Sequence, residues 1–172
     1  MVAQEGSQVR TKAVRLIAAI SLAVAMLVSQ SVVVDAATVV GRIDGGGMAV
    51  MTDGMGVSSF SVHATLFSDG TASGRFDCVD HTGDAPGYPG NISGAITRWS
   101  RNPDNTVSLY VTDGRLIGIP GGPVVSGGLP FVVTIQAFGG AGIGHWTLDV
   151  PAPSARAPIC VELLTSGQIR WN

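Results

Sequence analysis

Three carboxylates and one imidazole lie close together in one short segment of the sequence. The residues are Asp77, Asp80, His81 and Asp84, and the prolines and glycines that follow them interrupt regular structure. Carboxylates on a flexible loop, together with backbone carbonyls, are ligands that Ca²⁺ accepts. Their spacing matches no known calcium loop, and aspartates beside glycines are also common in plain turns. We therefore predict a candidate ligand loop with no assigned metal or cofactor. Ca²⁺ is the cation it would suit, and a solvated acidic turn is the alternative.

The sequence holds two cysteines, Cys78 and Cys160. In an exported chain, two cysteines favour a disulfide. A bond between them would stabilise the fold by about 4–5 kcal/mol in the chain-entropy model. Cys78 is predicted to face the core, whereas the alternation of Ile159, Val161 and Leu163 predicts that Cys160 faces the other way. The prediction is a Cys78–Cys160 bond, and the alternative is two buried free thiols.

No catalytic motif accompanies these residues. The serines lie outside any G-x-S-x-G context, so a hydrolase nucleophile is not indicated. Glycoside hydrolysis needs two facing acids, and beyond the leader the only glutamate is Glu162. His63 is predicted to be a surface residue, and His145 lies about 13 Å along its strand from Asp149, too far for a hydrogen bond. We predict no catalytic residues.

The N-terminal residues have the composition of a secretory signal peptide. A basic segment precedes the apolar run Leu16–Val28, and Val34–Ala36 offers small residues at a cleavage site. The alternative, an uncleaved anchor, is disfavoured because a spanning helix needs about 20 apolar residues. The sequence therefore predicts a signal peptide over residues 1–36. It predicts a single secreted domain over residues 37–172, with no membrane attachment after cleavage.

The charge of the predicted mature chain excludes one class of function. Without the leader's three basic and two acidic residues, seven basic and ten acidic residues remain, a net charge of −3. All seven basic residues are arginines scattered along the sequence. Nucleic-acid binding requires clustered cations that release counterions, so we predict no nucleic-acid partner.

Alternating apolar and polar residues predict strands throughout the mature chain. The clearest example is a hairpin over Ser59–Asp80, with a tight turn at Asp69–Gly70. Glycines are predicted to end the first strand at Gly45–Gly47, and Asp113–Gly114 is predicted to be a turn. The fold class is all-β: a single antiparallel β-sandwich, or a flattened barrel, of about eight or nine short strands.

Turn glycines and core positions form a pattern over nearly the whole predicted mature chain. They are Val40–Ile43 with Gly45–Gly47, Phe60–Val62, Gly70, Ala72, Gly74, Phe76, Val79–His81, Val132–Ile135, Gly139–Gly144, Trp146 and Ser166–Ile169. This layout resembles post-COAP-like domains, small secreted bacterial β-sandwich domains. The resemblance implies a fold and no transferable active site.

These observations favour a secreted, non-catalytic binding or structural module whose partner is an unidentified extracellular protein or glycan. Three loops are its predicted working parts: Asp80–Gly90, Gly118–Pro130 and Gly139–Gly144. A small secreted hydrolase is one alternative, which requires His81, Asp84 and Glu162 to converge on one pocket. A secreted inhibitor is another, acting through a protruding loop at Gly118–Pro130.

Overall fold

The computed structural model describes residues 36–52, 54, 56–81, 90–118, 124–150 and 158–172, and all its strands belong to the unit Ala37–Asn172. These residues form ten strands and no helix, which confirms the all-β prediction. Within them there is accordingly no helix with the length and apolar character to cross a membrane. The strands are β1 Val39–Met51, β2 Val57–Phe67, β3 Thr71–Asp80, β4 Gly90–Arg101, β5 Val107–Gly118, β6 Val124–Ala137, β7 Gly139–Gly140, β8 His145–Asp149, β9 Cys160–Leu164 and β10 Gln168–Trp171.

Eight of the strands close into an antiparallel barrel. Each strand from β1 to β6 pairs with the next along the chain, β6 pairs with β8, β8 with β9, and β9 with β1. The predicted sandwich is therefore wrong, and the flattened-barrel alternative is the better description. The physical reason is that one hydrogen-bonded ladder runs through all eight strands, whereas a sandwich has two separate sheets packed face to face.

The second edge of β1 is shared by β9 and β10. Ala49 pairs with Leu164, and Gly46 pairs with Gln168. An interval of three residues on β1 therefore lies opposite an interval of four residues on β9–β10. The extra residue forms a β-bulge, at which the Met48 carbonyl accepts backbone hydrogen bonds from Thr165 and Ser166. Thus β9 and β10 act as one interrupted strand that closes the barrel along β1 from Ile43 to Met51.

Glycines in β1 permit this closure. The prediction that Gly45–Gly47 ends the first strand is wrong, because β1 runs through these residues to Met51. A Cβ atom on Gly47 would lie 2.1 Å from the Ser166 carbonyl oxygen, and its φ of 151° is one that side chains disfavour. The predicted turn at Asp113–Gly114 is also wrong, since both residues lie in β5.

Large side chains fill the lumen of the barrel. Trp146 packs against Phe60 and Phe76 with ring centroids 5.4 and 5.3 Å apart, and Phe76 contacts Phe131 at 6.1 Å. The predicted inward faces of β3 and β8 are confirmed, because Phe76 and Trp146 are fully buried. An eight-stranded barrel is just wide enough for side chains to fill or to hold one small ligand, and here the side chains occupy the space.

The two ends of the barrel differ. At one, which we call the tryptophan end, Trp171 contacts Trp99 and Phe138, each with ring centroids 5.9 Å away, and Arg101 lies over the Trp171 ring. We call the other the Asp80 end, where β1, β3, β5 and β8 finish. The two longest connections between strands, residues 81–89 and 150–159, both leave from this end.

Replacing Gly47 by alanine is predicted to destabilise the barrel. The added Cβ would overlap the Ser166 carbonyl, and the backbone there is strained for any side chain. We expect a loss of about 1–3 kcal/mol in the free energy of unfolding, measured by urea denaturation. The matched control is Gly140→Ala, since a Cβ there meets its nearest atom at 3.6 Å. Equal stability of Gly47→Ala and the parent would contradict the proposed role of this glycine.

The predicted Asp69–Gly70 turn is confirmed, and it should make stability depend on pH. Asp69 Oδ1 accepts hydrogen bonds from the Thr71 hydroxyl at 2.6 Å and the Thr71 amide at 2.9 Å. The bond from the hydroxyl is the main reason that the pKa of Asp69 lies below its usual 3.8. A lowered carboxyl pKa contributes stability above the unfolded-state pKa, and this contribution is lost as the pH falls through the folded-state value.

We therefore expect Asp69→Ala to melt at a lower temperature than the parent at pH 7. This gap should narrow as the pH drops below 3.8, where Asp69 of the parent becomes protonated. Thermal melts from pH 7 to pH 2 would measure it. Asp69→Asn retains an acceptor oxygen, so its melting temperature at pH 7 should fall less than that of Asp69→Ala. A gap between Asp69→Ala and the parent that stays constant with pH would refute this account.

Candidate functional site

The predicted ligand loop is divided between the two faces of β3. Asp77 lies on the outer face, where the Arg75 guanidinium donates hydrogen bonds to its carboxylate at 2.7–3.0 Å. Asp80 is three residues further on, so it follows the inward-facing row that ends with Cys78. Asp84 lies outside the described residues. Asp77 and Asp80 therefore cannot act on one ligand from the same side of the wall.

His81 lies at the rim of the Asp80 end and is exposed. Its Nε2 atom is 2.9 Å from the Ser59 hydroxyl, and its backbone amide donates to the Val57 carbonyl at 2.8 Å. Among the described residues, no three His, Cys, Asp or Glu side chains are arranged to hold a metal ion. His81 is thus a surface group, anchored to β2, that a partner could reach.

Cys160 faces the lumen, which is the reverse of its predicted orientation. In β9 the buried side chains are Cys160, Glu162 and Leu164, and the partly exposed ones alternate with them. Sequence reasoning failed here because apolar residues occur on both faces of this strand, so a shift of one residue exchanges inside for outside. The same shift carries Glu162, the only glutamate after Glu5, into the barrel, where it is only 3% exposed.

Polar groups consequently gather inside the barrel toward the Asp80 end. We call Ser58, Cys78, Asp80, Cys160 and Glu162 the interior polar cluster. Ser58 is directly paired with Asp80, and both cysteines respond to the charges of Asp80 and Glu162. This cluster brings the buried glutamate and both cysteines of the described strands together, and only the face of Cys78 could be predicted from sequence.

The cluster keeps its thiols protonated. Burial raises the pKa of Cys78 to about 12, the Glu162 carboxylate adds to the rise, and the Ser58 hydroxyl opposes it. Burial also raises the pKa of Cys160, followed by the effects of Glu162 and then Cys78. Both thiols are therefore held in the protonated form at pH 7. Because the thiolate is the reactive form, neither cysteine is an effective nucleophile or metal ligand here.

The structure does not show the predicted disulfide, since Cys78 and Cys160 are both buried free cysteines. Two strands, β1 and β2, separate β3 from β9 along the wall. Three strand spacings of about 4.8 Å make a path of about 14 Å. The two Cα atoms would therefore have to approach across the lumen to the roughly 4.4–6.8 Å that a disulfide requires.

One histidine–carboxylate pair is found on the outer wall. His63 Nδ1 lies 2.9 Å from Asp44 Oδ1 across the β1–β2 pair, and this hydrogen bond is the main reason that the pKa of Asp44 is lowered. Ser61 is two residues along the strand from His63, about 7 Å away. A nucleophilic serine would have to lie within hydrogen-bond reach of the imidazole, so the pair does not make a catalytic triad.

The other predicted loops are largely strands. Most of Gly118–Pro130 is the first part of β6, and residues 119–123 lie outside the described residues. The chain there is irregular around Gly128, whose amide donates a hydrogen bond to the Asp113 carboxylate. Gly139–Gly144 contains β7 and a turn at the tryptophan end. The three predicted loops therefore do not form one surface.

Comparison with known proteins adds no homologue. No protein-family model matches the chain, and no curated protein or solved structure matches it. The resemblance to post-COAP-like domains accordingly stays a prediction. Any function has to be argued from the barrel itself.

The interior polar cluster predicts unreactive thiols. We expect the folded, unreduced protein to resist iodoacetamide at pH 8, and to take up two alkyl groups after unfolding in guanidinium, because Cys78 and Cys160 are buried and protonated. Intact mass spectrometry would count the groups. Unfolded protein without any free thiol would instead support the disulfide predicted from sequence.

A pair of variants tests the electrostatic part of this account. Glu162 is the second-largest cause of the raised thiol pKa values, and Asp80 is the last in order. We therefore expect Glu162→Gln to move the onset of thiol alkylation to lower pH, and Asp80→Asn to move it less. Tryptophan fluorescence would verify that both variants remain folded. If the pH at which alkylation begins shifted equally in the two variants, the assignment of the larger effect to Glu162 would be overturned.

Proposed function

We propose that this chain is a secreted, non-catalytic binding module whose partner is an extracellular protein or glycan. The observation that carries the proposal is the filled interior. Phe60, Phe76 and Trp146 pack against one another across the lumen, where other barrels of this size hold a small ligand. Binding is therefore assigned to the outside of the barrel.

The Asp80 end is the part of the outside best suited to recognition. The two longest connections depart from it, and varied loops on a rigid scaffold are where proteins most often place binding residues. His81 is exposed at this rim. We assign the partner contact to this end, with His81 as its central polar group.

The proposed compartment follows from the sequence. The basic and apolar pattern of residues 1–36 supports export and cleavage near Ala36. Export would bring the thiols of Cys78 and Cys160 into an oxidising environment. Both thiols are buried, and this burial supports the proposal that they stay reduced after the chain has folded.

Neither alternative gains support from the described residues. A hydrolase built on His81, Asp84 and Glu162 would need these side chains in one pocket, yet His81 is exposed and Glu162 is buried in the lumen. An inhibitor acting through Gly118–Pro130 would need a protruding loop, whereas residues 124–130 belong to β6 and Val124, Val125 and Leu129 pair with β5. A non-catalytic module is the simpler interpretation.

The test combines secretion with binding. Expression of the full chain in a secreting bacterial host should give culture protein that begins at Ala37 or Thr38 by mass spectrometry. The labelled secreted protein would then be applied to arrays of purified polysaccharides and extracellular proteins. We expect saturable binding to a member of one class, weakened about tenfold or more by His81→Ala, because that side chain stands at the proposed contact.

The matched control is His63→Ala, since His63 is exposed on the wall and should not affect the partner contact. Assays with ester, peptide and glycoside substrates accompany the arrays. Turnover of a substrate, or equal weakening by the two histidine variants, would contradict the proposal. Protein retained in the membrane fraction would contradict the proposed export.

A further inference from the structure

Three exposed apolar side chains lie in one row on the outer wall at the Asp80 end. Val79, Ile117 and Val124 are 36%, 52% and 69% exposed. Asn91 pairs with Ile117, and Ile117 pairs with Val124. The pairing of Cys78 with Ile92 sets Val79 opposite Asn91. We call Val79, Ile117 and Val124 the apolar row, which runs across β3, β5 and β6 with Asn91 of β4 inside it.

Opposite charges lie in the next outward row of the same wall. Asp77 pairs with Ser93, and Ser93 pairs with Arg115, so the carboxylate and the guanidinium stand on either side of β4. Two strand spacings make their separation about 10 Å. The Asp77 side chain is 38% exposed although it also binds Arg75, and Arg115 is exposed. The β3 side of the patch therefore carries the Arg75–Asp77 ion pair, whose carboxylate stays partly exposed, and the β5 side carries the Arg115 guanidinium.

We propose that this face binds the same face of a second copy, about a twofold axis that runs along β4. Such an axis exchanges the two sides of β4, so it brings Asp77 of one copy opposite Arg115 of the other. It also brings Val79 opposite Ile117, and each contact is made twice, as an isologous interface requires. The self-complementary charges, together with the apolar row, select a second copy as the occupant.

The expected dimer is a weak one. Two convex barrel walls touch over only a few strands, so the contact falls below the 1,200 Å² or so typical of stable complexes. Removal of the apolar row from water favours association, and the two charge pairs set the orientation. This inference does not depend on the proposed partner at the His81 rim.

Sedimentation equilibrium of the chain from Ala37 to Asn172, whose strands close the barrel among themselves, provides the test. We expect the weight-average mass to rise from one copy toward two between about 10 µM and about 1 mM, the range in which small interfaces form. Ile117→Ser should weaken this association about tenfold or more. Ile143→Ser is the matched control, since Ile143 is 62% exposed but lies in the turn at the tryptophan end.

Two charge reversals make the test specific for the proposed axis. Asp77→Arg and Arg115→Asp should each remain monomeric alone, because each homodimer would place like charges opposite each other twice. An equimolar mixture should regain association, since both contacts then join an arginine to an aspartate. Circular dichroism would verify that each variant is folded.

Three results would overturn the inference. The first is a parent protein that stays monomeric over the whole concentration range. The apolar row would then be a binding surface for a different protein. The second is an equal effect of Ile143→Ser and Ile117→Ser. The third is a mixture of the two charge variants that does not associate.

Discussion

Closure of the sheet at β1 is the constraint on which the structure depends. β1 pairs with β2 along one edge and with the interrupted strand β9–β10 along the other. The close approach requires Gly47, because a side chain there would collide with the Ser166 carbonyl. Closure removes the exposed edges that make open sheets prone to aggregation. It also gives every strand an inner face, so the alternation of each strand becomes a division between core and surface.

The filled lumen places the chemistry of the chain in two separate regions. Inside, aromatic rings fill part of the lumen, and the interior polar cluster, in which Glu162 is almost fully buried, lies toward the Asp80 end. Burying a carboxylate costs free energy that local partners must offset. The neighbouring thiols stay neutral mainly because they are themselves buried, and the Glu162 charge adds to this effect. A buried cluster of this kind can affect stability and thiol chemistry.

The outer wall carries the features that a partner can reach. Its polar pairs, His63 with Asp44 and Arg75 with Asp77, lie on exposed strand positions and contribute little stability in water. The Asp80 end adds His81 and the apolar row to this surface. Recognition and self-association are therefore both assigned to the outside of the barrel, on neighbouring but distinct parts of the same end.

Local sequence determined that the chain is built from strands, that the hairpin turns at Asp69–Gly70, and that Phe76 and Trp146 point inward, because a period of two residues and a turn glycine act over short distances. Only the tertiary structure decided that the strands close into a barrel and that Gly45–Gly47 lies within one of them. It also decided that Glu162 faces the lumen. β9 has apolar residues on both faces, and the contact that fixes the position of Gly47 comes from Ser166, more than a hundred residues away. Such choices follow from long-range packing, which no local pattern encodes.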